Sequence, residues 1–266
     1  MVEISVVTVC LNAVDGLRST SLSLMEQSFE SFEWVVIDGG STDGTIAFLN
    51  DFPDLRLRFI SEPDGGIYDA MNKGLAMAAG RWVIFLGAGD TLYSSDTLTA
   101  CSDRLHHAPK DCSFAYGGVS YSGTRTRVMY WNSEKTRHFE DLTFSVPSHS
   151  SIFFRLSMLQ RHFDPSFRIL GDRLFMLQNS DGKFYPIRIP ITVMLEGGVS
   201  YGSRNRWRKR LELIRICKIC QPRPNFTHYV RVFAVWSRDD VKQLLLFFLK
   251  FNTTVRSILK NSNSYW

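Results

Sequence analysis

The sequence predicts an α/β protein whose central sheet is mostly parallel and carries helices on both faces. Strand-like and helix-like segments alternate regularly through the first ninety residues, as they do in sheets built from crossover units. Several of these strands are apolar without interruption, which is typical of strands buried on both faces. Beyond residue 100 the alternation fades, and we expect a mixed sheet followed by a basic helical tail.

Four strands and three helices are predicted in the first half of this domain. The strands are ISVVTVC (4–10), FEWVVID (32–38), LRLRFI (55–60) and RWVIFL (81–86), and the helices lie at 15–27, 41–49 and 67–79. β-branched and aromatic residues dominate the strands, whereas leucine and methionine recur at helical spacing in the first helix. Parallel strands joined in this way present their carboxyl ends at one edge of the sheet.

Four further strands are predicted beyond residue 100, separated by one or two helices. They are SFAYGGVSY (113–121), RTRVMYW (125–131), SIFFR (151–155) and KFYPIRIPITVML (183–195). An amphipathic helix is expected to begin at Asp172, after a glycine. We therefore expect one domain over 1–203, with halves at 1–100 and 101–203, and a tail over 204–266.

The basic charge is concentrated in that tail. Residues 1–200 contain 17 Lys and Arg against 23 Asp and Glu, a net charge of −6, whereas residues 201–266 contain 14 against 3, a net charge of +11. A block of this kind is attracted to nucleic acid or to the anionic inner leaflet of a membrane. Residues 241–259 have apolar side chains at helical spacing with cations beside them, which fits a helix in a membrane interface or a final core helix.

Several classes of protein are disfavoured. The longest apolar run, LLLFFL (244–249), is too short to cross a membrane, and the N-terminus lacks the features of a secretory signal. The five cysteines are scattered, and the Cys217-x-x-Cys220 pair has no second pair at zinc spacing, so neither a disulfide framework nor a metal or redox site at the cysteines is expected. The tail's aromatic residues are not interleaved with cations, so we expect no nucleic-acid partner. The predicted location is the cytoplasm, on the inner face of the membrane.

Polar side chains follow each of the first four strands at the predicted carboxyl edge. They are Asn12, Asp38, Asp64 and Asp90. Ligands of open α/β sheets bind at this edge. The sequence has no GxxxxGK[ST] or GxGxxG phosphate loop, and three carboxylates suit a divalent cation and sugar or ribose hydroxyls better than bare phosphate. Each motif alone is also compatible with a turn or a helix cap, and it is their convergence that favours a binding site.

These segments resemble the nucleotide-sugar half of a family 2 glycosyltransferase with the Rossmann-like GT-A fold. The resemblance rests on ISVVTVCLNA, VVIDGGSTDGT and SEPDGGIYDAMNKGLAMAAGRWVIFLGAGD, with PSHSSIFF, FRILGDRLF and GGVS further along. It is strongest to the bacterial branch that makes extracellular polysaccharides, such as the colanic acid cluster enzymes, and covers about residues 2–203. It implies inverting transfer from a UDP or GDP sugar to a glycan or a polyprenyl-diphosphate-linked acceptor.

The resemblance also assigns roles to individual residues. Asp90 matches the last carboxylate of an acidic motif that binds Mg²⁺ or Mn²⁺ on the sugar nucleotide, although Gly87–Gly89 replace the rest of that motif and are expected to leave room for ribose and diphosphate. Asp172 matches the general base of inverting members, and His149 lies where such enzymes close over donor and acceptor. The positions expected to bind the nucleotide sugar are Thr8, Asn12, Asp38, Asp64, Asn72, Arg204 and Arg206.

Some of these assignments have alternatives. The reduced acidic motif is also compatible with a catalytically weak nucleotide-sugar binding module. Asp172 could instead cap a helix, and His149 could be a structural histidine. The GGVSYGSRNR segment, which carries Arg204 and Arg206, is either a loop that closes over the donor or a flexible linker.

Overall fold

The computed structural model describes residues 2–122, 128–130, 147–180, 184–195 and 205–220. The chain divides into two compact units, Met1–Glu212 and Leu213–Trp266, and only 213–220 of the second unit are described. The predicted helix at 241–259 and the glycine-rich segment up to Arg204 lie outside the described residues. The sheet and the candidate site belong to the first unit.

Nine strands and six α-helices are present among the described residues. The strands are β1 (Ile4–Cys10), β2 (Phe32–Asp38), β3 (Leu57–Ser61), β4 (Trp82–Phe85), β5 (Thr91–Leu92), β6 (Phe114–Ser122), β7 (Met129–Tyr130), β8 (Ile152–Arg155) and β9 (Phe184–Leu195). The helices are α1 (Val14–Met25), α2 (Thr45–Asn50), α3 (Ile67–Met77), α4 (Thr97–His106), α5 (Gly171–Asn179) and α6 (Arg206–Cys220), with 3₁₀ turns at His149–Ser151 and Leu156–Met158.

These strands form one sheet in the order β3-β2-β1-β4-β8-β6-β9-β5, with β7 paired to β6. Strands β1 to β4 are parallel to one another, whereas β8 runs antiparallel to β4 and β6. The predicted α/β class, with a parallel half and a mixed half, is confirmed. The chain moves outward from β1 to β2 and β3 and then returns to β4 on the other side of β1. Ligands of open α/β sheets bind at such a switch point.

Helices cover both faces of the parallel half. Alternate residues of a strand point to opposite faces, and Ile4 and Val6 of β1 belong to the core cluster that contains Leu17 and Leu24 of α1. On the other face α3 lies close to β1, because a Cβ on its Gly74 would overlap the side chain of Val7. The two layers leave the carboxyl edge of β1 and β4 between them.

The predicted elements differ from the observed ones mainly at their ends. Helix α2 begins only at Thr45, because Gly44 before it adopts φ 94° and interrupts the helical backbone. Strand β5 was not predicted, since two residues are too few to show a periodicity. None of the described helices has the length and apolar character needed to cross a membrane.

Candidate active site

The turn after β4 carries Asp90 to the edge of the sheet. Its backbone N–H donates to the carbonyl of Gly87 (2.9 Å), and Gly89 adopts φ 99°. The hydroxyl of Thr20 on α1 donates to the Asp90 carbonyl (2.8 Å) and accepts from the Gly89 N–H (3.0 Å). A Cβ on Gly87 would lie 2.9 Å from Asp90 Oδ2. These glycines therefore permit a tight turn that holds the carboxylate, which is a local reason for the GAGD sequence besides the predicted space for a ligand.

His149 and Asp172 form an ion pair beside this turn. His149 Nδ1 lies 3.1 Å from Asp172 Oδ2, and the two side chains are 27% and 22% exposed. His149 comes from the 3₁₀ turn before β8, and Asp172 is the second residue of α5. Both remain accessible to a ligand from solvent. The charge of Asp90 also acts on His149, so three of the predicted residues are brought together here.

The two members of the pair shift each other's pKa in opposite directions. Burial would lower the pKa of His149, but the hydrogen bond and the charge of Asp172, with the charge of Asp90, outweigh it and raise this pKa above its ordinary value of 6.5. Burial would raise the pKa of Asp172, but the hydrogen bond and charge of His149 and the charge of Arg173 hold it below its ordinary value of 3.8. Between these limits the pair is ionised on both sides.

Tyr68 of α3 was not predicted as a site residue, yet its hydroxyl donates to Asp172 Oδ1 over 3.5 Å. Burial, followed by the charge of Asp172, raises the pKa of Tyr68, so its phenol stays protonated and can only donate to the carboxylate. A Cβ on Gly171 would lie 2.6 to 2.8 Å from three atoms of the Tyr68 ring. Gly171 therefore lets the ring approach Asp172. In the sequence, the glycine before Asp172 is the local feature that permits this contact.

The loops after β1 and β2 are joined around Asp38. This side chain is fully buried and accepts hydrogen bonds from the Ser41 N–H (2.9 Å), the Gly40 N–H (3.1 Å) and the hydroxyls of Ser61 (2.7 Å) and Ser41. Burial opposes its ionisation, but the hydrogen bonds from Ser41 and Ser61 outweigh burial and lower the pKa of Asp38. Asp38 thus acts in the structure as the anion around which this loop is folded.

Asn12 continues the same network with a strained backbone. It adopts φ 50°, which asparagine tolerates better than most residues. Its N–H donates to Ser41 Oγ (2.6 Å), and its Oδ1 accepts from the Thr42 N–H (2.8 Å). Cys10 lies two residues before Asn12. Burial, followed by the charge of Asp38, raises the pKa of its thiol to about 12. This shift favours the neutral thiol of Cys10 at physiological pH.

Asp64 lies in the turn after β3, next to the loop that follows β2. Its Oδ1 accepts from the Gly66 N–H (2.8 Å), and a Cβ on Gly39 would lie 2.7 Å from its Oδ2. The carboxylate thus lies directly over the loop after β2. Arg168 then ties this turn to the segment before α5, since its Nη1 donates to the Gly65 carbonyl (2.7 Å).

Of the four remaining predicted binding residues, Thr8 and Asn72 have side chains that the structure describes. The Thr8 hydroxyl is buried and accepts from Trp34 Nε1 (3.0 Å). Asn72 exchanges two hydrogen bonds with the backbone of Phe163 (2.8 and 2.9 Å), and so holds the segment that leads to Asp172. Both side chains are engaged within the protein. Arg204 lies outside the described residues, and of Arg206 the structure describes the backbone alone.

Asp90 is the predicted ligand of a divalent cation at this edge of the sheet. Within the described part of the chain, no group of three His, Cys, Asp or Glu side chains is arranged to hold a metal ion. Asp90 supplies one carboxylate at the edge. Mg²⁺ and Mn²⁺ are commonly bound by one or two carboxylates together with substrate phosphates, so Asp90 suits a cation that the sugar nucleotide diphosphate also ligates.

Residues 5–170 match the model of the family described as Glycosyl transferase family 2. A similar curated protein is the PGL/p-HBAD biosynthesis glycosyltransferase of Mycobacterium tuberculosis strain H37Ra, which is 35% identical over 175 residues. That match covers 63% of this chain and 66% of the relative, just under two thirds of its length.

Two solved structures share the fold at low sequence identity. The mannosyltransferase PcManGT of Pyrobaculum calidifontis, in complex with GDP-Man and Mn²⁺, has a TM-score of 0.63 and 16% identity, over 93% of this chain and 79% of that one. TarS 1–349 of S. aureus, in complex with UDP-GlcNAc, has a TM-score of 0.65 and 17% identity, over 87% and 70%. The GT-A architecture that the sequence predicts is therefore confirmed. The resemblance to the colanic acid branch is not tested by these matches.

Proposed function

Because this chain belongs to glycosyl transferase family 2, we propose that it is an inverting glycosyltransferase that moves a sugar from a UDP or GDP sugar to a hydroxyl of a glycan or lipid-linked acceptor. The observation that carries the proposal is the His149–Asp172 pair, partly open to solvent and electrostatically coupled to Asp90 at the switch point of the sheet. This arrangement offers a base for the acceptor and an anionic contact for the donor complex. The proposed pathway is surface polysaccharide synthesis, as the sequence resemblance implies.

Asp172 is the proposed general base. One of its oxygens takes the proton of the acceptor hydroxyl while the hydroxyl oxygen bonds to the anomeric carbon, and the nucleoside diphosphate leaves from the opposite face with the bonding electrons. His149 supports this role by fixing the carboxylate through Oδ2 (3.1 Å). Tyr68 and the Arg173 N–H hold the other oxygen. The base is therefore oriented before the acceptor arrives.

The donor is proposed to bind over the joined loops after β1, β2 and β3. Asp38 and Asn12 fold these loops from below, and Asp64 lies above Gly39 at their rim. Asp90 would ligate the cation that accompanies the diphosphate. When bound, such a cation offsets the negative charge that develops on the leaving group. Both UDP and GDP sugars are compatible with this edge, and structures of the same fold bind UDP-GlcNAc and GDP-Man.

An anionic membrane surface is the proposed location of the reaction. Arg208, Leu211, Arg215, Lys218 and Ile219 of α6 are exposed, and their spacing puts them on one side of the helix. We call these five residues the basic face of α6. Cations beside aliphatic side chains are typical of a helix that lies on anionic lipid, and each cation near such a surface contributes about 1 kcal/mol of attraction. A lipid-linked acceptor would be reached from there.

The test of the catalytic proposal is Asp172→Asn. Turnover of the donor should fall roughly 10²- to 10⁴-fold or more, because the amide cannot take a proton, while donor affinity stays near that of the wild type. Nucleotide release from UDP-GlcNAc and GDP-mannose with excess Mn²⁺ measures both. Asp103→Asn, which changes an exposed carboxylate on α4, is the matched control.

Two outcomes would contradict the proposal. Normal specific activity with reduced stability would make Asp172 a structural residue at the start of α5. Donor binding without any turnover in the wild-type protein, across a panel of UDP and GDP sugars and acceptors, would favour the weak nucleotide-sugar binding module instead.

A further inference from the structure

The segment before α5 is held by a single carboxylate from α6. Glu212 accepts hydrogen bonds from three consecutive backbone N–H groups: Arg168 on Oε1 (2.9 Å), Ile169 on Oε2 (3.0 Å) and Leu170 on Oε2 (2.8 Å). Only 8% of the residue is exposed. A buried carboxylate is costly unless it is hydrogen-bonded, and here three backbone donors provide that compensation.

Helix α5 begins directly after the segment that Glu212 holds. The residue at its N-cap is Leu170, whose side chain cannot accept a hydrogen bond, and the helix has no side-chain cap of its own. Glu212 brings a negative charge to this end from a distant part of the sequence. A negative charge at the N-terminus of a helix is stabilised by the helix dipole. Of the three donors to Glu212, only the Leu170 N–H lies at the N-cap, so Glu212 fixes the chain that enters the helix.

Asp172 lies two residues beyond the last N–H that Glu212 holds. Its position relative to His149 follows from the placement of this first turn of α5. The other end of the segment is tied to the sheet edge, because Arg168 donates to the Gly65 carbonyl (2.7 Å). A displacement of residues 168–170 would therefore move the carboxylate of Asp172 away from its partner.

We propose that Glu212 is a positioning residue, through which α6 sets the location of Asp172 relative to His149. The expected effect on turnover rests on the proposed role of Asp172 as the base. The placement of Asp172 beside His149 can be measured without turnover. The hydrogen bonds that Glu212 makes to the described residues go to backbone N–H groups, and not to the side chain of Asp172 or His149. Glu212 acts by fixing the backbone that carries one of them.

Glu212→Gln tests this with little change in size. The amide keeps one acceptor oxygen and replaces the other by a donor group, so at least one of the three N–H groups loses its partner. Glu33→Gln is the matched control. Glu33 is also buried and accepts from Ser5, the Ala79 N–H and Arg58, but it lies at the start of β2, the strand end opposite Asp38.

The first readout is independent of activity. In Glu212→Gln the pKa of His149, followed by NMR of the imidazole, should fall toward its ordinary value, and the amides of 168–170 should exchange faster with deuterium. In Glu33→Gln both should stay as in the wild type. Unchanged His149 titration and unchanged exchange in Glu212→Gln would overturn the proposal, whatever the outcome of the activity assays.

The second readout is kinetic. Turnover of whichever of UDP-GlcNAc and GDP-mannose is the better substrate should fall about 10- to 100-fold, because a displacement of about 1 Å costs this much, with KM for the donor changed less than about twofold. In an Asp172→Asn background, Glu212→Gln should have no further effect on turnover, since there is no base left to position. A full additional loss in that background would overturn the proposal.

Should Glu212→Gln fail to fold, Glu212→Asp takes its place. It keeps the charge but shortens the side chain by one methylene. The His149 pKa, the amide exchange and the turnover should change in the same directions as in Glu212→Gln, but less. A loss of activity in Glu33→Gln equal to that in Glu212→Gln would show that destabilisation alone explains the effect, and would also refute a positioning role. If Asp172→Asn leaves turnover intact, the assignment of the base fails, but the His149 titration still decides the role of Glu212.

Discussion

Replacement of Gly171 by alanine tests how closely Tyr68 and Asp172 are packed. The added Cβ would lie 2.6 to 2.8 Å from three atoms of the Tyr68 ring, which is closer than carbon atoms approach. The ring is 4% exposed and stacks on Phe163 (centroids 5.8 Å apart), which in turn stacks on Phe175 of α5 (3.9 Å). Tyr68 therefore cannot move without opening this stack or shifting the helix that carries Asp172.

The magnitude follows from the cost of overpacking. Inserting a methyl group into a packed site typically costs about 1–3 kcal/mol, and alanine at a helical position returns up to about 1 kcal/mol relative to glycine. We expect a net loss of roughly 1–2 kcal/mol in the free energy of unfolding, or about 2–8 °C in Tm for a domain of this size. Displacement of Asp172 should also lower turnover by about 10- to 100-fold.

Thermal unfolding and donor turnover measure the two effects. Gly65→Ala is the control for stability, because the nearest atoms to a Cβ there belong to Asp69 and lie at 3.6 Å or more, in ordinary contact. The free energy of unfolding should change by no more than about 0.5 kcal/mol. A Gly171→Ala protein as stable and as active as the wild type would refute the packing argument.

Three further changes have defined outcomes. Asp90→Ala should weaken Mn²⁺-dependent binding of UDP or GDP by calorimetry about 10- to 100-fold, the equivalent of one charged contact, and wild-type affinity would exclude Asp90 as a cation ligand. His149→Gln should destabilise the protein most between about pH 4 and 6.5. The difference in free energy of unfolding between the wild type and the variant should vanish as the pH rises through the raised His149 pKa, or falls through the lowered Asp172 pKa. A pH-independent difference in unfolding free energy would contradict that. Changing Arg208, Arg215 and Lys218 to Gln should reduce sedimentation with anionic vesicles but not with neutral ones. The same changes at exposed Arg81, Arg104 and Lys110 should leave sedimentation with anionic vesicles unchanged. Equal effects of the two sets would exclude the basic face of α6 as a lipid contact.

The parallel half of the fold could be predicted because each strand is specified by its own residues. Strands β1 and β2 have the predicted bounds, 4–10 and 32–38, since their β-branched and aromatic residues are buried on both faces. Strand β5 and the start of α2 could not be predicted in the same way. The first is held by its pairing with β9, and the second is set by one glycine conformation at Gly44.

The candidate site was predictable where a motif lies at a strand end, and not where distant segments meet. Asp90, His149 and Asp172 were all identified in the sequence, and the structure brings them together. Tyr68 lies within the SEPDGGIYDAMNKG segment but was not singled out there, and Glu212 belongs to no recognisable motif. Their contacts with Asp172 and its preceding segment join residues 104 and 42 to 44 positions apart, and no local pattern reports such distances.

Asp38 and Asp172 differ in how many of their hydrogen-bond acceptor positions are occupied by other groups of the protein. A carboxylate has about four positions at which it accepts hydrogen bonds. Asp38 uses them on Gly40, Ser41 twice and Ser61, with the Cys10 thiol at 3.6 Å as a further neighbour, so four donors of the described residues occupy this carboxylate. Oδ2 of Asp172 accepts a hydrogen bond from His149. Its Oδ1 accepts one from the Arg173 N–H and, over a longer distance, one from the Tyr68 hydroxyl. Among the contacts of the described residues, one acceptor position of Oδ2 is left for an incoming hydroxyl. Both residues stand in motifs of equal prominence in the sequence, so it is this difference in occupied positions, and not the motif, that supports the proposed role of base for Asp172 and a scaffold role for Asp38.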